Sequence, residues 1–192
     1  ISLSNNDSGT SNTIFGKNAG LAGLSGGTHN VLIGEDAGND MTTADHNTAV
    51  GYQSMDLITT LADGNTAVGY QALHGNITTQ NIDNCVAIGK ETLCGALTST
   101  AVGTVAVGMQ ALNALTSGAD NLAIGHQAAS LLTTGGNNTV VGQHAFDAAA
   151  HDEADNTVFG LGAMGAVAQG GTASSTDREA KQNIAIGSGA LM

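Results

Sequence analysis

The chain contains no proline and no tryptophan, and aromatic residues make up only 3% of its 192 residues. A globular domain of this size usually fills its core with large side chains. Here the core must be built mainly from Ala, Val, Ile and Leu, which form thin layers. Thin layers suit a stack of repeated coils in which each coil covers the next one.

Positive charge is also scarce, because the chain has four Lys and Arg residues against 16 Asp and Glu residues, a net charge of −12. Nucleic acids and anionic membranes bind clustered cations, so we exclude them as partners. The sequence has no apolar run of membrane-spanning length and no signal segment. We expect no membrane insertion by this segment. We interpret it as a fragment, since it begins at Ile1 and ends at Met192 within a repeat.

Cysteine is nearly absent, with Cys85 and Cys94 the only two. Two cysteines are too few for a disulfide framework or a zinc site. They flank one glycine of the repeat almost symmetrically, so a disulfide between them is one interpretation. Two free thiols are the other, which a reducing cytoplasm would favour. We expect no metal and no cofactor.

One short motif runs through the whole chain: an Asn, three residues of β-forming or apolar type, a Gly, two variable residues and a small residue. The motif glycines are separated by 18, 17, 18, 20, 19, 17, 17, 18 and 27 residues. A period near 18 is typical of a solenoid. The turn glycines are Gly16, Gly34, Gly51, Gly69, Gly89, Gly108, Gly125, Gly142, Gly160 and Gly187.

We number each repeat from its glycine and call equivalent positions a column. Column −4 is Asn in eight of ten copies, with Cys85 and Thr104 as the exceptions. Asn tolerates left-handed backbone geometry, and stacked Asn side chains can hydrogen-bond from coil to coil as a ladder. Columns −3 and −1 hold β-forming residues two apart, as in Thr48 and Val50, so they share one face of a strand. We predict that this face points into the coil.

Column −2 points to the opposite face of the same strand and is apolar in every copy. A half-solvated strand would carry polar residues there. An apolar column along a rod is typical of an interface, and its many alanines indicate a close-packed cover. We therefore predict that parallel copies of the chain associate through this column. The predicted interface residues are Ala49, Ala67, Ala87, Ala106, Ala123, Val140, Val158 and Ala185.

Together the columns predict a coil made of a strand, a glycine turn, a second short strand at +3 and +4, and a polar return loop. The fold class is all-β, a parallel β-solenoid of about ten coils and about 45 Å in length. Residues 1–11 lack the motif and are predicted to be an irregular lead-in. Residues 12–192 form one repeat domain, and the long ninth spacing places an insertion near 165–182.

Three other repeat folds fit less well. A left-handed hexapeptide helix needs an apolar residue every six, and the step from Val50 meets Asp56. Calcium-binding β-rolls need a Gly-Gly-x-Gly-x-Asp series, which is absent. A flat ice-binding array needs unbroken ranks of Thr, and column −3 is interrupted by Val86, Val105 and Leu122.

The segments at 47–54, 65–73 and 84–89, which read NTAVGYQS, NTAVGYQAL and NCVAIG, resemble the head repeats of YadA-like trimeric autotransporter adhesins and the related repeats of phage tail fibres. The resemblance covers residues 12 to 192. It implies a left-handed parallel β-roll, three chains side by side as a homotrimer, and an extracellular role in adhesion or host recognition. The period here is longer than in the bacterial heads, which favours the phage-fibre branch.

Tyr52 and Tyr70 are the best binding candidates, since both occupy +1 in successive coils and are followed by Gln53 and Gln71. An exposed aromatic pair with amides alongside could hold a sugar ring. A cross-coil pair that only stabilises the turn is the simpler interpretation.

Two histidine pairs occupy neighbouring coils, His29 with His46 and His126 with His144, and we interpret them as exposed turn residues. The acidic loop 151–155 is interpreted as solvated rather than as a calcium site. No Ser-His-Asp grouping and no carboxylate pair in a cleft can be assigned, so we predict that the chain is not an enzyme.

These features predict the repeat shaft or head of a homotrimeric fibre, a tail fibre or bacterial adhesin, that binds a glycan or protein receptor on a cell surface. Two alternatives remain: a building block of an extracellular filament or surface layer, and a trimeric polysaccharide depolymerase.

Overall fold

The computed structural model of the protein describes residues 3–4, 11–58, 62–75, 82–98, 101–149, 153–165 and 181–191. The described residues form an all-β solenoid without helix, and therefore without any helix that could cross a membrane. Each repeat contributes one three-residue strand at −3 to −1, where the sequence predicts it. The strands are β1 (Leu3–Ser4), β2 (Thr13–Phe15), β3 (Val31–Ile33), β4 (Thr48–Val50), β5 (Thr66–Val68), β6 (Val86–Ile88), β7 (Val105–Val107), β8 (Leu122–Ile124), β9 (Thr139–Val141), β10 (Thr157–Phe159) and β11 (Ile184–Ile186).

The strands build one sheet in chain order. Strands β2 to β11 are parallel and in register, so that Ala49 pairs with Ala67 and Val50 with Val68. β1, which lies in the predicted lead-in, pairs antiparallel with β2. The pairing of β10 with β11 is parallel as well, so the stack continues across the long ninth repeat. Most of the predicted insertion, residues 166–180, lies outside the described residues.

The predicted orientation of the strands is wrong. Column −2 lies inside the coil: the eight predicted interface residues Ala49, Ala67, Ala87, Ala106, Ala123, Val140, Val158 and Ala185 are at most 2% exposed. Columns −3 and −1 point outward instead, since their residues are half-buried or exposed in all ten strands while the middle residue is buried. Residues buried within one chain cannot contact a second copy, so column −2 is not an interface.

Alanine suits column −2 because larger side chains from elsewhere in the coil fill the interior. They come from column +4, as in Leu73, Leu93 and Leu112, and from the return segment, as in Ile58 and Leu115, all buried. A narrow coil packed to ordinary density has room for few large residues in each layer. The small residue at −2 is therefore the counterpart of a large one across the coil.

The predicted second strand is also absent, because the residues after each glycine form a turn. The backbone angle φ is positive at +2 and +4 in every copy, for example 54° at Gln53 and 52° at Leu73. A strand requires negative φ. Alternate N–H groups point in opposite directions along the rod: Gln71 N donates to Tyr52 O in the preceding coil, and Leu73 N donates to Thr92 O in the following coil, both at 3.0 Å.

The predicted asparagine ladder is confirmed and lies in the buried interior. Asn47 N donates to Asn30 Oδ1 at 2.9 Å, and Asn65 N donates to Asn47 Oδ1 at 2.9 Å. Six of the eight amides also donate to a carbonyl of the return segment that leads to the next strand, as Asn47 Nδ2 does with Ala62 O at 2.6 Å. The ladder thus satisfies backbone groups that burial would otherwise leave unpaired.

Candidate functional site

The outward face of the sheet is formed by columns −3 and −1 of all ten parallel strands. We define the exposed sheet face as the twenty residues of columns −3 and −1. Its members are Thr13, Phe15, Val31, Ile33, Thr48, Val50, Thr66, Val68, Val86, Ile88, Val105, Val107, Leu122, Ile124, Thr139, Val141, Thr157, Phe159, Ile184 and Ile186.

This face carries no charge, since five of its members are Thr and the other fifteen are apolar. Large apolar side chains are exposed along its length, among them Phe15 at 45%, Ile88 at 39%, Ile124 at 38% and Ile186 at 71%. Ten strands at a spacing of about 4.8 Å make the face roughly 45 Å long. Single exposed apolar residues are normal on a monomer, but an uncharged and mostly apolar face of this length is a candidate interaction surface.

The tyrosine pair predicted as a binding candidate is formed. The rings of Tyr52 and Tyr70 stack with centroids 5.7 Å apart, and both residues are 42% exposed. The Lys90 ammonium lies over the Tyr70 ring at 5.7 Å from its centroid. Tyr70 is therefore held between Tyr52 in the coil before it and Lys90 in the coil after it. The faces of the Tyr70 ring are directed at these two neighbours along the rod, so they are not free for a sugar to stack on. The geometry therefore favours a role for Tyr70 in stabilising the turn.

Beside the tyrosines, column +2 forms a second polar ladder on the surface. Gln71 Nε2 donates to Gln53 Oε1 at 2.9 Å, which places both predicted glutamines together. Further along, Gln127 donates to Gln110 at 2.9 Å and Gln110 donates to Glu91 at 2.8 Å. The hydrogen bond from Gln110 lowers the pKa of the Glu91 carboxyl. These amides therefore hydrogen-bond mainly to one another, and these bonds help to hold successive coils in register.

Column +5 aligns Asp56, His74 and Cys94 in three successive coils, an order that the sequence analysis did not single out. Asp56 is 6% exposed, and its Oδ2 lies 3.7 Å from His74 Nε2. Burial raises the pKa of the Asp56 carboxyl, and its Oδ1 has no hydrogen-bond partner. Burial also raises the pKa of the Cys94 thiol to about 11, and Sγ donates to Gln71 O at 2.7 Å. A thiol protonated at neutral pH and engaged elsewhere is a poor nucleophile.

The two cysteines are free, so the disulfide interpretation is wrong. Their sulfur atoms bond in opposite directions along the rod. Cys85 Sγ donates to Ala101 O in the following coil at 3.2 Å, whereas Cys94 Sγ donates to Gln71 in the preceding coil. Symmetry of sequence position about Gly89 therefore does not bring the thiols together.

A thiol pKa of about 11 predicts slow alkylation of Cys94. In a Cys85→Ser variant at pH 8, iodoacetamide should modify Cys94 about a hundredfold more slowly in the native protein than in the urea-unfolded chain, since the thiolate fraction falls tenfold per pKa unit. The native rate should rise nearly tenfold per pH unit up to pH 10. Equal rates in the native and unfolded chains would contradict the assignment.

The histidine pairs also lie where the repeat predicts. His29 and His46 stack with centroids 5.0 Å apart, and His126 and His144 meet edge to face at 5.0 Å. Within the described ranges, no group of three or more His, Cys, Asp or Glu residues has the geometry to hold a metal ion.

The acidic loop lies partly outside the described chain, at residues 151 and 152. Glu153, which we expected to be solvated, is fully buried, and its backbone carbonyl accepts from Asn138 Nδ2 at 2.8 Å. The loop therefore enters the core through Glu153.

The exposed sheet face was missed by sequence reasoning because the strand orientation was inverted. The residues themselves carried the signal, since an outward strand face with no charge in ten copies is unusual for a solvated sheet. Comparisons of the chain with protein-family models, curated proteins and solved structures find no match.

Proposed function

We propose that this chain is the repeat domain of a homotrimeric fibre, in which the exposed sheet face of each copy packs against its neighbours. The carrying observation is that this face is half-buried to exposed, mostly apolar and uncharged over ten strands, while the chain as a whole has a net charge of −12. Copies that repel each other through their other surfaces can still associate through a face without charge.

In such an assembly the turns and return loops remain free to contact a target. Column +1 supplies exposed side chains there, among them Tyr52, Tyr70 and Met109 at 41–42% exposure. The proposed target is a glycan or a protein receptor on a cell surface, and the proposed location is extracellular, as in a tail fibre or a bacterial adhesin. A filament or surface-layer subunit would use the same face, but would form open polymers instead of discrete trimers.

The assembly is tested by placing a charge on the exposed sheet face. Ile124→Glu should convert a trimer at micromolar concentration into a monomer, because each of three buried carboxylates would lose its water without gaining a partner. Sedimentation velocity gives the mass, and circular dichroism shows whether the fold persists.

Leu131→Glu is the matched control, since Leu131 is 52% exposed in the return segment of the same coil and lies outside the exposed sheet face. It should leave the mass unchanged. A parent protein that is monomeric at micromolar concentration would overturn the proposal, and long polymers on electron-microscopy grids would favour the filament alternative.

A further inference from the structure

The asparagine ladder is interrupted at one place in the rod. Four asparagines precede the interruption and four follow it, and Cys85 and Thr104 stand at column −4 between them. The asparagines of the first block are Asn12, Asn30, Asn47 and Asn65, and those of the second are Asn121, Asn138, Asn156 and Asn183. The interruption covers the coils of β6 and β7.

An intact rung joins two coils because the side-chain oxygen of one Asn accepts the backbone N–H of the next. Asn138 N, for example, donates to Asn121 Oδ1 at 3.1 Å. Cys85 has no side-chain oxygen, and the buried Thr104 Oγ1 has no hydrogen-bond partner. The oxygen acceptor is therefore missing at two successive coil-to-coil steps. At the first step the Cys85 sulfur, a weaker acceptor, takes the hydrogen bond from the backbone N–H of Thr104. The same sulfur donates weakly to Ala101 O at 3.2 Å.

The backbone hydrogen bonds of the sheet continue across the interruption. Val86 N donates to Thr104 O at 2.9 Å, and Gly108 N donates to Ile88 O at 2.7 Å. The coils thus remain stacked in the native state. They differ from the other coils in having weaker side-chain hydrogen bonds at column −4.

We propose that the coils of β6 and β7 form a weak joint, at which the rod opens locally before it unfolds as a whole. In a solenoid each coil is stabilised by its own contacts and by those with its two neighbours, so the weakest neighbour contact sets where opening begins. Each flanking block keeps a complete ladder of four asparagines and opens as a unit. Opening of the joint exposes Cys85, whose side chain is fully buried in the closed state.

The reaction of Cys85 with a thiol reagent measures this opening. In a Cys94→Ser background, the labelling of Cys85 in low urea should show a weaker urea dependence than global unfolding followed by circular dichroism. Thr104→Asn restores an acceptor for Asn121 N and should slow the labelling by about tenfold. Asn138→Thr breaks a rung in the second block and should lower global stability without changing the rate at Cys85.

Hydrogen exchange gives a second readout that needs no variant at Thr104. Peptides from 82–98 and 101–112 should exchange faster than peptides from 30–58 and 121–149. Labelling of Cys85 with the full urea dependence of global unfolding would overturn the joint. So would an unchanged rate in folded Thr104→Asn, or slower exchange at 82–112 than in the flanking blocks.

Discussion

Gly69→Ala is expected to unfold the rod or to reduce its free energy of unfolding by at least about 4 kcal/mol. A Cβ atom at Gly69 would lie 2.6 Å from the carbonyl oxygen of Gly89 in the next coil, and φ at Gly69 is 134°. Alanine is strained at that φ, which costs about 1–3 kcal/mol. The clash adds to this cost, because the atom it meets belongs to the backbone and can move only if the coils separate.

Separation of the coils would break the bonds on both sides of the glycine. Gly69 N donates to Val50 O and Gly89 N donates to Val68 O, both at 2.8 Å. Urea unfolding followed by circular dichroism measures the loss.

Gly187→Ala is the matched control, because Gly187 belongs to the same column with φ of 124° but no described atom lies within 4 Å of its Cβ position. Gly187→Ala should reduce the free energy of unfolding only by the cost of the strained φ. Gly162→Gln is a second control, since Gly162 sits at +2 with φ of 61°, where other coils carry Gln. Similar losses for Gly69→Ala and Gly187→Ala would show that close approach between coils does not explain the glycine column.

The positions of the strands could be predicted from the sequence because the glycine column is imposed by that close approach. A side chain at this position is excluded in nearly every coil, so the spacing of the glycines repeats the geometry of the coil. The asparagine column was predictable for a related reason, since within each block an Asn bonds its equivalent in the next coil and substitution breaks two contacts.

The orientation of the strands could not be predicted from alternation alone. In a segment such as Thr48-Ala49-Val50 all three residues are compatible with burial, so the period of two does not distinguish the faces. The small residues at −2 correctly indicated close packing, but the packing partner was predicted to be a second copy of the chain and is in fact the same coil. The alanines share the interior with large side chains of their own coil, such as Leu73 and Leu112, whose burial depends on the turn that carries them.

That turn was mispredicted because its geometry is rare for the residues that adopt it. Leu, Met and Phe seldom take positive φ, yet Met55, Leu93 and Phe146 do so at +4 with φ between 54° and 57°. Hydrogen bonds to the coils on either side hold this conformation. The sequence of a single repeat does not include those coils, so it does not show the conformation. Self-association depends in the same way on surfaces of a second copy, so it stays a prediction that Ile124→Glu tests.

Asn47→Ala is expected to reduce the free energy of unfolding by about 3 kcal/mol, because it leaves buried backbone groups without partners. Asn47 Oδ1 accepts Asn65 N, and its Nδ2 donates to Ala62 O and to Asn30 Oδ1. For a chain of this length the loss corresponds to a fall in Tm of about 6–12 °C, measured by thermal unfolding with circular dichroism.

Thr104→Val provides the opposite case at the same column. The Thr104 hydroxyl is buried without a partner, so its replacement by a methyl group of similar size should leave Tm unchanged or raise it. A polar residue in this column then stabilises the rod only when its side chain completes a rung. Equal losses in Asn47→Ala and Thr104→Val would show instead that the column is sensitive to shape and that the ladder contributes little.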